Sequence, residues 1–122
     1  MSIAPELVVA SILTIGIALV HSVLGERYIL RRLFRMELPK LFGGDFFTKQ
    51  TLRFAWHLTS VAWVGFAAIL ISTPSRSTIR IIGIIFLASV FFPLIATRGK
   101  HLSWIIFLAI AALCWSYKIK AA

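Results

Sequence analysis

Four stretches of the chain contain no Asp, Glu, Lys or Arg, and each is 17 to 22 residues long. They cover residues 7–25, 54–75, 81–97 and 101–117. A soluble amphipathic helix carries charged residues on its outer stripe every turn or so, which these stretches lack. A helix needs roughly 20 apolar residues to cross a bilayer, and about 17 suffice when charged side chains at its ends reach the headgroups. The pattern predicts one all-α membrane domain, a four-transmembrane-helix antiparallel bundle with spans at about 7–26, 53–73, 80–97 and 101–118.

The composition agrees with insertion in a membrane. Hydrophobic residues make up 60% of the chain and charged residues 14%, and the mean hydropathy is +0.95. The formal net charge of +9 would suit a nucleic-acid-binding protein, but the basic residues bracket apolar spans and do not cover a soluble surface. We therefore expect a multi-pass protein of the cell membrane and no nucleic-acid partner.

The basic residues also predict an orientation. Nine of them flank the first and third connections: Arg27, Arg31, Arg32, Arg35, Lys40, Lys49, Arg53, Arg98 and Lys100. Four lie at the opposite ends of the spans: Arg76, Arg80, Lys118 and Lys120. Because basic loops remain on the cytoplasmic side, the first and third connections are predicted to be cytoplasmic and both termini extracytoplasmic.

The first connection is predicted to contain an amphipathic interfacial segment. In residues 27–36, Arg27, Arg31 and Arg35 share one helical face, and apolar residues form the other. Such a segment lies in the interface plane and binds anionic lipids. Pro39 is expected to stop it, and a diglycine turn with flanking phenylalanines follows over residues 41–47. Asp45 or Thr48 is expected to cap the second span.

Three histidines are predicted to lie at one depth in the cytoplasmic leaflet. His21 and His57 lie near the inner ends of their spans, and His101 opens the fourth span from the same side. Each of the first two belongs to a stripe at helical spacing. The stripes are Ser11, Thr14, Ala18, His21 and Gly25 on the first span, and Gln50, Arg53, His57 and Ser60 on the second. The small residues of the first stripe are expected to face neighbouring helices.

Ionisable residues inside a membrane are costly, so this cluster is a candidate site. The candidate ligand-binding residues are His21, Glu26, Arg27, Arg53, His57, Arg98, Lys100 and His101. In one interpretation His21 and His57 ligate a transition metal or the iron of haem b. In another, arginine, lysine and histidine bind an anionic lipid headgroup or phosphate. A structural alternative is that the histidines hydrogen-bond between helices while tryptophans form an aromatic belt.

A short segment resembles a known family. The run His21-Ser22-Val23-Leu24-Gly25-Glu26-Arg27 resembles the His-x-x-x-Gly-x-Arg stretch around the haem ligand in the cytochrome b anchor subunit of succinate dehydrogenase. The resemblance covers seven residues and implies an axial ligand at His21 and a propionate partner at Arg27. The chain departs from the family at Tyr28, where histidine is usual, at Arg32, where aspartate is usual, and in having four spans instead of three.

The sequence thus indicates a binding or accessory module for a metal, haem, or anionic lipid or phosphate ligand. The alternatives are a structural subunit that stabilises a larger membrane complex, or an oligomeric transporter. The candidate protein partners are a second copy of the chain or a larger membrane complex. No phosphate loop, His-Glu-x-x-His or Cys-x-x-Cys motif occurs, so catalysis has no support and no catalytic residue is predicted.

Overall fold

The computed structural model describes residues 2–118, which form four helices and no strand. Helix α1 spans Pro5–Leu33, α2 spans Phe46–Ile71, α3 spans Arg76–Ala96 and α4 spans Ser103–Ser116. The first three are long and apolar enough to cross a membrane, by length and composition. The predicted all-α class is confirmed for the described residues. Lys120, which belongs to the orientation count, lies outside them.

Helix α1 continues beyond its predicted inner end. After an α-helical stretch over Pro5–Leu24 it passes through one π-helical stretch, Gly25–Leu30, and ends after a last turn at Leu33. The predicted span boundary at residue 26 is therefore not a helix end, and the first residues of the predicted interfacial segment continue α1. No helix-breaking residue occurs there, and Gly25 itself keeps right-handed helical angles. Pro39 lies six residues after the helix end, so it does not terminate the helix.

The connection between α1 and α2 contains a tight turn at its tip. The amides of Leu41 and Gly44 donate to each other's carbonyls at 2.9 and 3.4 Å, and Phe42 and Gly43 adopt positive φ of 54° and 87°. Asp45 occupies the predicted cap position of α2, but its side chain makes no capping bond. Its carboxylate lies 2.7 Å from Lys49 Nζ, and this hydrogen bond lowers the Asp45 pKa.

Helix α3 begins with a capping serine, since Ser75 Oγ accepts a hydrogen bond from the Thr78 amide at 3.2 Å. It ends in a turn where Arg98 and Gly99 have positive φ of 51° and 78°. Because of this turn, α4 begins at Ser103, two residues after the predicted start of the span, and it has 14 residues. At about 1.5 Å per residue α4 is about 21 Å long, shorter than the predicted span at 101–118.

Helix α1 packs against α2 and α4, and α3 packs against α4. The small-residue stripe of α1 faces these neighbours as predicted: Ser11, Thr14 and Ala18 are buried, and Ser11 Oγ donates to the Ala67 carbonyl at 3.1 Å. Large apolar side chains cover the outward faces of all four helices. A polar seam inside an apolar exterior is the arrangement expected of helices surrounded by lipid.

Candidate functional site

Helices α1 and α2 are joined by a polar network around the Glu26 carboxylate. Arg53 donates two hydrogen bonds to it, from Nη2 to Oε1 at 2.9 Å and from Nε to Oε2 at 3.2 Å. His57 Nε2 lies 3.1 Å from Oε2, and Arg31 Nε lies 4.0 Å from Oε1. The forked contact with Arg53 is the strongest geometry available to a carboxylate, so the charges of Glu26 and Arg53 neutralise each other.

A chain of hydrogen bonds leads from this carboxylate into the seam between α1 and α2. Ser60 Oγ donates to the Ala18 carbonyl at 2.9 Å, and Ser22 Oγ donates to Ser60 Oγ at 2.7 Å. The Ser22 hydroxyl hydrogen is used in this bond, so Ser22 Oγ accepts from His57 Nδ1, 2.9 Å away. His57 Nε2 faces a carboxylate oxygen, which only accepts. We call Ser22, Glu26, Arg53, His57 and Ser60 the Glu26 network.

His21 lies on the other side of the same seam and pairs with Trp56. The two rings are parallel, with an interplanar angle of 4° and centroids 4.6 Å apart. Trp56 Nε1 donates to the His21 carbonyl at 3.0 Å, and His21 Nε2 donates to the Trp56 carbonyl at 3.2 Å. In the neutral tautomer His21 Nδ1 remains free to accept a hydrogen bond. Gly25 makes this pairing possible, because a methyl group there would overlap the Trp56 indole.

A cavity of about 570 Å³ opens beside this pair, between all four helices. Most of its wall is apolar and includes Ile17, Trp63 and Phe107. Its polar lining includes the two imidazoles of His21 and His101. A volume of this size with a few convergent polar groups is typical of small-molecule sites. We call it the His21 cavity.

The turn before α4 carries Arg98, Lys100 and His101, and His101 is the one of the three that lines the His21 cavity. His101 lines the cavity, and its Nδ1 lies 2.7 Å from Ser103 Oγ. Arg98 and Lys100 precede His101 and are exposed. Gly99 fixes the turn through two hydrogen bonds. The Gly99 amide donates to the Leu94 carbonyl at 2.8 Å, and the Gly99 carbonyl accepts from Trp104 Nε1 at 3.3 Å.

The structure thus divides the eight predicted site residues into three groups. Glu26, Arg53 and His57 form the Glu26 network, and Arg27 lines a shallow pocket beside it. His21 and His101 line the His21 cavity. The third group, Arg98 and Lys100, lies on the adjoining turn.

The metal prediction joined His21 and His57, which line separate pockets. Both His57 ring nitrogens are occupied by Ser22 and Glu26. Within residues 2–118, no group of three or more His, Cys, Asp or Glu side chains could hold a metal ion. A joint site at the two histidines stays a prediction.

The two residues of the haem arrangement that the resemblance implies, His21 and Arg27, lie in different surroundings. His21 Nε2 is engaged by a backbone carbonyl, and one face of its ring is covered by Trp56. Arg27 lines the pocket beside the Glu26 network, with its guanidinium 5.5 Å from the centre of the Tyr28 ring. His21 and Arg27 line different pockets, and the haem arrangement stays a prediction.

Sequence reasoning missed two aromatic residues of the His21 cavity. The structural alternative assigned the tryptophans to an aromatic belt, but Trp56 and Trp63 pack on His21, Trp63 edge-on with centroids 5.0 Å apart. Their spacing of seven residues puts them on one helical face, next to the histidine stripe. This spacing could have indicated that both tryptophans pack beside the histidines.

Comparison with protein-family models, curated proteins and solved structures gave no match, so the function has to be inferred from the residues of the site.

Proposed function

We propose that the protein is a four-span antiparallel membrane bundle that binds an amphipathic anion in the His21 cavity. Three helices have the length and apolarity of membrane spans, which supports insertion. Helix α4 packs along both α1 and α3. Leu102 before it and Tyr117 after it lengthen its charge-free stretch, and Lys100 and Lys118 beyond them can direct their charges toward the headgroups, which supports a fourth span.

The cavity is the observation that carries the proposal. Its apolar wall suits an acyl chain, and its imidazoles suit a polar head. Ile17 and Phe107 lie deeper in their helices than Tyr28 and His101, so the chain would extend toward the bundle centre. The ligand class is therefore a long-chain amphiphile with a carboxylate or phosphate head.

Charge favours an anionic head over a cationic one. Arg98 and Lys100 precede His101 on the same turn, and neither forms an ion pair within the described residues. Arg53, by contrast, is already neutralised by Glu26. The turn therefore supplies the attraction for the ligand, and the Glu26 network holds α1 and α2 together beside it.

Quenching of tryptophan fluorescence by a brominated long-chain fatty acid tests this proposal, because Trp56 and Trp63 line the cavity. We expect saturable quenching in detergent-purified protein and weaker quenching by the uncharged methyl ester. Arg98→Gln with Lys100→Gln should weaken binding of the acid at least tenfold, because loss of a single charge-assisted contact already weakens binding about tenfold.

Two further variants sharpen the test. Thr59→Phe with Ser89→Phe adds bulk to the cavity wall and should abolish saturable quenching. Arg32→Gln with Lys40→Gln removes the same charge from exposed positions elsewhere in the chain and should leave binding unchanged. Equal binding of acid and ester, or unchanged binding by the blocked variant, would disprove an amphipathic-anion site in this cavity.

A further inference from the structure

A second, smaller pocket lies at the opposite end of the bundle from the His21 cavity. It has a volume of about 190 Å³ and is formed where α3 begins and α4 ends. Arg76 and Arg80 line it from α3, and Trp115, Tyr117 and Lys118 line it from the end of α4. We call it the Arg76 pocket.

Positive charge dominates the Arg76 pocket. Its two guanidinium groups and one ammonium group form no ion pair with any acid in residues 2–118. Arg76 and Arg80 are four residues apart on one helix face, where like charges repel. Both also lie in the first turns of α3, where the helix dipole disfavours positive charge. An anion between the two elements would relieve both penalties.

We infer that the Arg76 pocket binds a phosphate group through Arg76, Arg80 and Lys118. Arginine presents a planar fork of donors that matches phosphate oxygens, and lysine adds a point charge. Trp115 and Tyr117 border the cations with amphipathic rings of the kind found at headgroup depth. The pocket is independent of the His21 cavity, so this inference does not rest on the function proposed above.

A phosphate site at this end of the bundle would account for an exception in the charge distribution. Basic residues are expected on the cytoplasmic side, yet Arg76, Arg80 and Lys118 lie at the other ends of their helices. A phosphate site requires cations there whatever the orientation rule favours. If α3 and α4 span the membrane, the pocket lies at headgroup depth, where both a lipid phosphate and a free phosphate can reach it.

Arginine modification by phenylglyoxal, read by mass spectrometry, tests the site on the detergent-purified full chain. Arg76 and Arg80 should be protected during titration with inorganic phosphate or with a short-chain phosphatidic acid, while Arg32 serves as the exposed reference arginine. Protection by both probes supports a site for free phosphate. Protection by phosphatidic acid alone supports a lipid headgroup site.

Lys118→Gln should raise the probe concentration for half-protection about tenfold, because one charged contact is lost. Lys40→Gln, an exposed lysine of the first connection, is the matched control and should not change it. Circular dichroism of both variants establishes that the helices persist. Protection of Arg76 and Arg80 no greater than that of Arg32, or an equal effect of the two lysine variants, would overturn the inference.

Discussion

Replacing Glu26 by glutamine should destabilise the packing of α1 against α2. The variant keeps the shape of the side chain but removes the charge that Arg53 and His57 share. A glutamine oxygen can still accept one bond from Arg53. The second guanidinium bond is lost, and the His57 contact loses its charged acceptor.

The expected cost follows from the hydrogen bonds to Glu26 that the variant loses or weakens: one Arg53 bond is lost, and the other Arg53 bond and the His57 bond lose their charged acceptor. Hydrogen bonds between membrane helices average about 0.6 kcal/mol, so these changes amount to about 1 kcal/mol on that scale. Bonds to charged groups are stronger, at about 1.5–3 kcal/mol each. The Glu26, His57 and Arg53 side chains are 23%, 35% and 36% exposed, so solvent screening keeps the value toward the lower end. We expect a loss of about 1–3 kcal/mol in the free energy of unfolding.

A double-mutant cycle with Arg53→Gln isolates the interaction between the two residues. Each single variant loses the same ion pair, so the double variant should be less destabilised than the sum, by about 1–2 kcal/mol. Unfolding by sodium dodecyl sulfate in mixed micelles, followed by far-ultraviolet circular dichroism, measures all four proteins. Glu37→Gln removes an exposed acid that forms no ion pair within residues 2–118 and is the control. Strictly additive losses would refute the network described for Glu26.

Three further predictions address orientation, lipid contact and the His21 pairing. A topology reporter fused after Ala122 should be extracytoplasmic and one inserted at Gly43 cytoplasmic; the reverse pattern would invert the orientation. Arg31→Glu with Arg35→Glu should weaken association with anionic lipid in vesicle-binding assays while the helices stay inserted, and unchanged association would count against an interfacial role. Gly25→Ala should destabilise the protein by about 1–3 kcal/mol, measured by the same detergent unfolding, because the methyl group would displace the indole above it; wild-type stability would contradict that close approach.

The positions of the helices could be predicted from the sequence because charge-free length is a direct requirement of a membrane span. All four predicted spans overlap helices, and the small residues of α1 are buried at the packed seam as their spacing indicated. The depth of the histidines was also informative, since His21 and His101 line one cavity. Depth follows from counting residues along a helix axis.

The rotation of each helix about its axis could not be predicted in the same way. The rotation depends on which neighbouring helix each face packs against, and a single sequence does not show which helices are neighbours. The π-helical stretch Gly25–Leu30 adds to the difficulty. A π-helical turn closes over one residue more than an α-helical turn, so side chains beyond it are displaced from the phase that a regular helix would give. Nothing in the composition of residues 25–30 predicts this.

The Glu26 network and the His21 cavity are formed by adjacent residues of the same two helices. His21 and Ser22 are neighbours on α1, and Trp56 and His57 are neighbours on α2, so each pair points about 100° apart around its helix. His21 meets Trp56 on one side of the seam, and Ser22 meets His57 on the other. The two histidines therefore share a depth without sharing a pocket. His57 is held in an ion-paired network, while His21 keeps a ring nitrogen free beside an apolar cavity, and this difference makes the His21 side the better candidate for a ligand.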